Sequence, residues 1–387
     1  MRIIFVSGTP EEIGHQHGQQ IADLRDRLVD TISTRLAAMR RLGADRPQQM
    51  QPIVAALQEL DTPLLDYLRG LAASLELETD QLLRYTLSSY LRDLQEVADA
   101  PGPWPIPVDG CTTWAATAPH TDDGTTVLAK NRDYHRDHIP LQLLIQVTPA
   151  IGYRYLAVGS AGSPNVFSSG INDRGLAVAD THVLSKDLGP GLARYSLMRE
   201  LLQHHADTAS GLDYLRSVQQ MGGGTIILAD RHGHLAVWES GHEASGVVQR
   251  RQGFLVSTNH FVTEELASQW VENEPPELLG NSQARRARIT DALSSAHRTV
   301  NPAWAVKVMS SHGSPLDAIC RHPLATDGVA AFGTGDSSTI SSVILLPAGV
   351  APAFAGPALL LADGEPCQAR WETQQLLQEG SQRMGSR

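Results

Sequence analysis

The stretch Asp109-Gly110-Cys111-Thr112-Thr113-Trp114 holds the residues best placed for covalent chemistry. Cys111 directly follows a glycine. A thiol so placed can attack the preceding carbonyl, move the acyl group from nitrogen to sulfur and release it to water. Gly110 suits that step, because a residue without Cβ tolerates a twisted backbone. Asp109 is either a partner in proton movement or a turn residue. Cleavage between Gly110 and Cys111 would give Cys111 a free α-amine, with an unperturbed pKa of roughly 7.7–8.0. That amine can activate its own thiol at neutral pH, as N-terminal amines activate threonine. The plainer alternative is a packed small hydrophobe, since free cysteine is among the most buried residue types.

Local elements favour an exposed cut. Upstream, Gly102-Pro103-Trp104-Pro105-Ile106-Pro107 excludes helix and a central strand, because proline lacks the N–H and fixes φ. The density of Pro and Gly over 99–109 marks either a domain boundary or an exposed processing loop. Downstream, 112–118 and 125–129 read as strands joined by the turn segment Pro119-His120-Thr121-Asp122-Asp123-Gly124. Cys111 would then open a strand.

Asp109-Gly110-Cys111-Thr112-Thr113, followed by Asn131-Arg132-Asp133-Tyr134, resembles the isopenicillin N acyltransferase family, peptidase family C45. These are self-processing N-terminal-nucleophile (Ntn) hydrolases. Gly8-Thr9-Pro10-Glu11-Glu12-Ile13-Gly14-His15-Gln16-His17-Gly18 is similar to that family's opening segment. Ser257-Thr258-Asn259-His260 and Ile319-Cys320-Arg321 match it further along. The resemblance implies an α+β fold, a four-layer αββα Ntn-hydrolase sandwich with a helical N-terminal segment. It divides the chain into 1–110, the small chain after self-cleavage, and 111–387, the catalytic core. The small chain would stay bound as its partner and help close the substrate pocket.

The same correspondence assigns roles, each with a plainer alternative beside it. Asp133 would orient the α-amine of Cys111; otherwise it is a turn residue paired with Arg132. Asn259 would donate to the tetrahedral oxyanion; otherwise it caps a strand as an Asx turn. Arg321 would hold Asp133 or a substrate carboxylate bidentately; otherwise it is a surface ion pair. Cys320 reads as core. Thr112, Asn131, Arg132, Thr181 and His182 are candidate substrate contacts. The segment Ala179-Asp180-Thr181-His182 does not repeat the residues of the penicillin enzyme, so a different small acyl-amide or peptide-derived substrate is expected.

The implied reaction makes or breaks an amide through a Cys111 thioester. Water as acceptor makes an amidohydrolase, and an amine makes an acyltransferase. Two other readings stay open, an uncleaved binding or scaffold protein of the same fold and an unrelated metal amidase.

Composition narrows the partners. The 387 residues carry 42% hydrophobic and 19% charged side chains, those of a globular protein with ample core. A net charge of −11 argues against a nucleic-acid partner. No apolar run reaches bilayer-spanning length. Met1-Arg2-Ile3-Ile4-Phe5-Val6 is too short for a signal peptide and reads as a first strand. Three separated cysteines give no disulfide framework, and a cytoplasmic location is expected.

Neither a metal nor another cofactor is expected. Of the pairs His15/His17, His135/His138, His204/His205 and His232/His234, only His135/His138 has helical ligand spacing, and no further ligand accompanies it. Ser168-Ser169-Gly170, Gly222-Gly223-Gly224 and the run from Gly333 to Ser338 lack a phosphate-loop lysine and read as turns.

The elements that must carry these residues follow from periodicity. Thr9, Pro10 and Glu12 form a capped helix start. Ile13, His17, Ile21, Leu24, Leu28, Ile32 and Leu36 continue one face. Helices are expected over 52–74, broken near Thr62-Pro63, and over 79–98. After Cys111 strands dominate, at 141–147, 153–158, 169–178 as a hairpin, 225–229, 235–239, 253–257, 340–346 and 358–361. Helices are expected at 194–205, 208–221, 282–296 and 371–378.

Overall fold

The computed structural model describes residues 1–44, 46–99, 110–272, 274, 278–323, 337–349 and 356–376. The loop expected over 99–109, Asp109 included, falls outside them from residue 100 onward, as do 333–336 of the glycine-rich run.

The first segment comprises β1 (Arg2–Gly8), α1 (Pro10–Gln20), α2 (Arg25–Leu42), α3 (Pro47–Leu60), α4 (Thr62–Leu75), α5 (Thr79–Thr86) and α6 (Ser88–Asp99). The Thr9–Glu12 capping box is formed in both directions. Two expected helices are each divided. A 3₁₀ turn over Ala22–Leu24 separates α1 from α2, and Leu87 separates α5 from α6. Each break redirects the chain, so the apolar face keeps facing the core. Helices α1 and α4 cross closely. A Cβ on Gly14 would lie 2.0 Å from the carbonyl oxygen of Tyr67, and one on Gly70 2.0 Å from that of Glu11.

Beyond Cys111 come β2 (Gly110–Ala116), β3 (Val127–His135), β4 (Gln142–Pro149), β5 (Tyr155–Ser160), β6 (Ser169–Asn172) and β7 (Leu176–His182). Helices α7 (Arg194–His204) and α8 (Thr208–Ser217) precede β8 (Gly224–Asp230), β9 (Leu235–Ser240), β10 (Ser245–Arg250) and β11 (Phe254–Ser257). Helices α9 (Asn281–Ser294) and α10 (Pro302–Met309) lead to β12 (Ser337–Leu346), β13 (Ala358–Asp363) and β14 (Trp371–Gln375).

These strands form an eight-stranded sheet, β1-β4-β5-β6-β7-β8-β9-β10, and a six-stranded sheet, β11-β2-β3-β12-β13-β14. The period-two alternation of strand side chains explains the layers. Ile226 and Leu228 of β8 face the core shared with α1–α8, whereas Ile227 and Ala229 face the second sheet. Val343 and Leu345 of β12 face the first sheet, whereas Ile344 and Leu346 face α9 and α10. Three apolar cores therefore separate four layers, helices, sheet, sheet and helices. This is the αββα arrangement expected.

Two expectations need correction. Residues 371–375 form β14, not a helix, because Trp371–Gln375 pairs antiparallel along β13 and that pairing outweighs local propensity. Asp133 lies within β3, not past it, because β3 is paired on both sides, by β2 and β12. The first segment is also joined to the rest, since β1 pairs in parallel with β4. No helix among the described residues is long and apolar enough to cross a membrane.

Candidate active site

Cys111 is the second residue of β2, and the ladder to β3 fixes what surrounds it. Gly110 stands opposite Asp133, Cys111 opposite Arg132, and Thr112 opposite Asn131. Cys111, Arg132 and Asp133 line one cleft of about 80 Å³. Its far wall comes from Asp180 and His182 on β7, and its rim from Thr86, Ser89, Tyr90 and Asp93 on α5 and α6. The N-terminal segment thus supplies part of the cleft.

Gly110 sits close against Arg321 and Asp133, so a side chain there would make Arg321 shift. A Cβ there would lie 2.5 Å from Arg321 Nη1 and 3.1 Å from Asp133 Oδ2. Arg321 approaches Asp133 through one contact only, Nη1 to Oδ2 at 3.7 Å, so the bidentate pairing expected is not formed. Thr339 fixes the pair from behind. Its hydroxyl donates to Asp133 Oδ1 at 2.6 Å and accepts the Arg321 backbone N–H at 2.8 Å. Asp133 Oδ2, buried beside Gly110, accepts no hydrogen bond among the described residues.

Asn259, just beyond β11, holds the Cys111 nitrogen. The Cys111 N–H donates to its Oδ1 at 3.1 Å, and its Nδ2 donates to the His182 carbonyl at 2.8 Å. Arg285 of α9 completes this arrangement. Its Nη1 donates to the Cys111 carbonyl at 2.7 Å and to Thr112 Oγ1 at 2.8 Å, and its Nη2 to Asn259 Oδ1 at 2.7 Å. Burial, and then the Arg321 charge, pull the Arg285 pKa down to about 10, so it remains a cation at neutral pH.

The other expected contacts divide by face. Arg132 lines the cleft, its guanidinium over the rings of Tyr134 at 5.3 Å and Phe167 at 5.1 Å. Its Nη1 reaches Ser160 Oγ at 3.2 Å, while Nη2 is buried without a hydrogen-bond partner among the described residues. His182 lines the cleft and meets Asp93 at 2.6 Å, tying β7 to α6. Burial raises the Asp93 pKa, but His182 and Arg92 outweigh it and hold the carboxyl at about 2.

Thr112, Asn131 and Thr181 do not line the cleft. Thr112 turns to Arg285, and Asn131 donates to the carbonyls of Met309 and Ile319. Thr181 bonds Thr225 Oγ1 and the Thr258 carbonyl. Alternation turns Thr112 and Thr181 from the faces of Cys111 and His182. Asn131, on the same face as the cleft-lining Asp133, is instead held by the Met309 and Ile319 carbonyls.

Several functional candidates are missing from the sequence reading. Lys130 Nζ is buried in the cleft wall against Asp180 Oδ1 at 2.5 Å, and Arg194 meets the same carboxylate at 3.1 Å. Burial pushes Asp180 up, yet these two cations leave its pKa below the usual value. Arg285 had a usable signal, since it shares the apolar i, i+4 stripe of α9 with Ile289 and Leu293. Lys130 had no such signal, because it opens the polar stretch Lys130-Asn131-Arg132-Asp133 of β3.

A larger recess of about 340 Å³, walled by His120, Phe254, His260 and Arg286 among others, includes none of Cys111, Asp133 and Arg321. Three of the paired histidines meet other side chains. His17 meets Tyr67, His135 meets Asp137, and His138 meets Arg35.

A family model described as acyl-coenzyme A:6-aminopenicillanic acid acyl-transferase matches residues 120–325, more than half the chain. That span contains Asp133, Asn259, Arg285 and Arg321 and begins after Cys111. Among solved structures, penicillin V acylase from Agrobacterium tumefaciens is 13% identical, over 65% of this chain and 83% of that one, with a TM-score of 0.40. A variant of conjugated bile acid hydrolase from Clostridium perfringens is 13% identical, over 68% of this chain and 96% of that one, with a TM-score of 0.42. No curated protein sequence matches the chain.

Proposed function

The chain belongs to the acyl-coenzyme A:6-aminopenicillanic acid acyl-transferase family. From that premise we propose that it is a self-processing cysteine enzyme that cleaves or forms amide bonds. The observation that carries this reading is the fit at Gly110. A glycine is wedged against Arg321 and Asp133, and the next residue is a cleft-lining cysteine whose N–H is held by Asn259.

In the precursor, the Cys111 sulfur attacks the Gly110 carbonyl carbon. The C–N bond breaks, nitrogen takes up the thiol proton, and Gly110 becomes a thioester. Water then releases the Gly110 carboxylate and restores the thiol. The new neutral α-amine would donate to Asn259 Oδ1 and to the unpaired oxygen of Asp133, so it stays placed beside its own sulfur with its lone pair free to act as base. Chains 1–110 and 111–387 remain associated through the β1–β4 pairing and the His182–Asp93 contact.

In turnover, the α-amine accepts the thiol proton as sulfur attacks the substrate carbonyl. Asn259 Nδ2 stabilises the oxyanion. The leaving amine takes the proton back, and water or an acceptor amine resolves the thioester. Tyr134, Phe167 and Tyr195 give the cleft an aromatic wall, and Arg132 Nη2 is a buried donor beside it without a hydrogen-bond partner among the described residues. The substrate is therefore a small acyl-amide or peptide-derived molecule with an apolar portion and a carboxylate.

Intact mass spectrometry of the purified protein beside Cys111→Ala tests the first step. Two fragments meeting at Gly110–Cys111, absent in the variant, are expected. A single chain in both samples after long incubation would refute self-processing. Amide and thioester donors, supplied with and without acceptor amines, then separate hydrolysis from transfer.

A further inference from the structure

Outside the cleft, four side chains converge from three separated segments. His312 follows α10, Cys320 and His322 flank Arg321, and Cys367 sits in the turn between β13 and β14. One ligand atom from each lies within 4.8 Å of all the others. His322 Nε2 is 3.0 Å from His312 Nε2, 3.6 Å from Cys320 Sγ and 3.3 Å from Cys367 Sγ. A tetrahedral zinc, with bonds of about 2.0–2.1 Å to nitrogen and about 2.3 Å to sulfur, sets N···N near ~3.3 Å and N···S near ~3.6 Å. The observed spacings approach both values.

We propose that His312, Cys320, His322 and Cys367 form a structural zinc site that pins the segment carrying Arg321 to the β13–β14 turn. Two sulfurs and two imidazole nitrogens are a recurrent structural zinc set. The chemistry also suits the location. Binding releases both thiol protons to solvent, and the two thiolates cancel the dication's charge, so the buried Cys320 side carries no net charge. Backbone and side-chain bonds bring the three segments together. The Cys320 N–H donates to the Ser311 carbonyl at 2.9 Å. Ser310 Oγ donates to the Pro366 carbonyl at 2.9 Å, and Trp371 Nε1 to the same oxygen at 3.2 Å. None of the four residues takes part in the proposed reaction, so the site stands independently of it.

The test uses the full chain, purified without a metal-binding tag and dialysed against zinc-buffered solution. About one zinc per chain is expected by elemental analysis. Cys367→Ser and His312→Ala, both at exposed positions, should lower zinc to background while retaining the native circular dichroism spectrum. Cobalt(II) in place of zinc should give the absorption of a tetrahedral thiolate site, absent in Cys367→Ser. Chelation should lower the melting temperature of the wild type and leave both variants unmoved. Folded wild type without zinc, equal zinc in the variants, or a Cys320–Cys367 disulfide in a non-reduced peptide map would each overturn the proposal.

Discussion

The Cys111 backbone N–H and Arg285 Nη2 share one acceptor, Asn259 Oδ1, at 3.1 Å and 2.7 Å. Rotating the Asn259 amide would turn an N–H towards both donors and a carbonyl towards the His182 oxygen. The network therefore fixes which end of Asn259 faces the cysteine. One asparagine thus places the Cys111 nitrogen with its oxygen and keeps its donors on the β7 side.

Asn259→Ala should lower kcat about 10²–10³-fold, the usual cost of losing an oxyanion donor. It should also slow the appearance of the cleaved chains, since Asn259 Oδ1 accepts the Cys111 N–H. Single-turnover assays and timed intact-mass spectra read the two effects separately. Unchanged rates in both would remove Asn259 from the mechanism.

Gly110→Ala should arrest processing. Its Cβ would meet Arg321 Nη1 at 2.5 Å, and yielding there moves Arg321 off Asp133. The chain should still fold, because Gly110 is at the start of β2 and away from the three cores. A native melting curve with one uncut chain is the expected pair of results. Cleavage at the wild-type rate would show that the close fit has no part in the step.

A helical first segment, the strands after it and the Gly-Cys junction were legible in the sequence, because helical period, period-two alternation and a dipeptide are local signals. The four-layer order came from the family resemblance. The partners of Cys111 were less legible. Asn259 is brought to Cys111 by the β11–β2 pairing, a long-range contact that no window of sequence contains. Arg285 announced itself only as a charge on an apolar stripe. Thr112 and Thr181 were misplaced for the opposite reason, since adjacency in sequence to Cys111 or His182 puts a strand residue on the other face. Asn131 was misplaced because its side chain is taken up by the Met309 and Ile319 carbonyls. The terminal strand β14 was hidden because Trp-Glu-Thr-Gln-Gln has no alternating pattern strong enough to reveal an edge.

Arg132→Met should weaken donors that carry a carboxylate and spare their methyl esters. A hydrogen bond to a charged group contributes about 1.5–3 kcal/mol, so KM should rise roughly 10- to 100-fold for the acid. The value of kcat should change little. Equal losses for acid and ester would assign Arg132 to packing on Tyr134 and Phe167 instead.

Gly14→Ala should destabilise the fold by about 1–3 kcal/mol, the usual penalty of overpacking. The added methyl would sit 2.0 Å from the Tyr67 carbonyl oxygen, a backbone atom that cannot swing aside. Urea unfolding measures the loss. A shift below about 0.5 kcal/mol, the size of an ordinary surface change, would show that α1 and α4 separate freely.

His17 should make stability fall in mild acid. Tyr67 donates its one proton to the Ser163 carbonyl at 2.9 Å, so at 2.5 Å the His17 Nδ1 must be the donor to the Tyr67 oxygen. That tautomer leaves Nε2 bare, buried and without a hydrogen-bond partner among the described residues. Burial pushes the His17 pKa down to about 3, against 6.5 for the free side chain. The unfolded chain therefore binds the extra proton first. This contribution is complete above about pH 6.5 and is lost as the pH falls from there towards 3, by about 1.4 kcal/mol per pH unit. Between about pH 6.5 and about pH 5 the wild type should lose about 2 kcal/mol through this group alone. His17→Asn keeps a donor facing Tyr67 but has nothing to titrate. Other buried histidines, His260 among them, contribute equally to both proteins. The difference between the two stability-versus-pH slopes isolates His17. Parallel slopes across that range would mean that position 17 takes up a proton without unfolding.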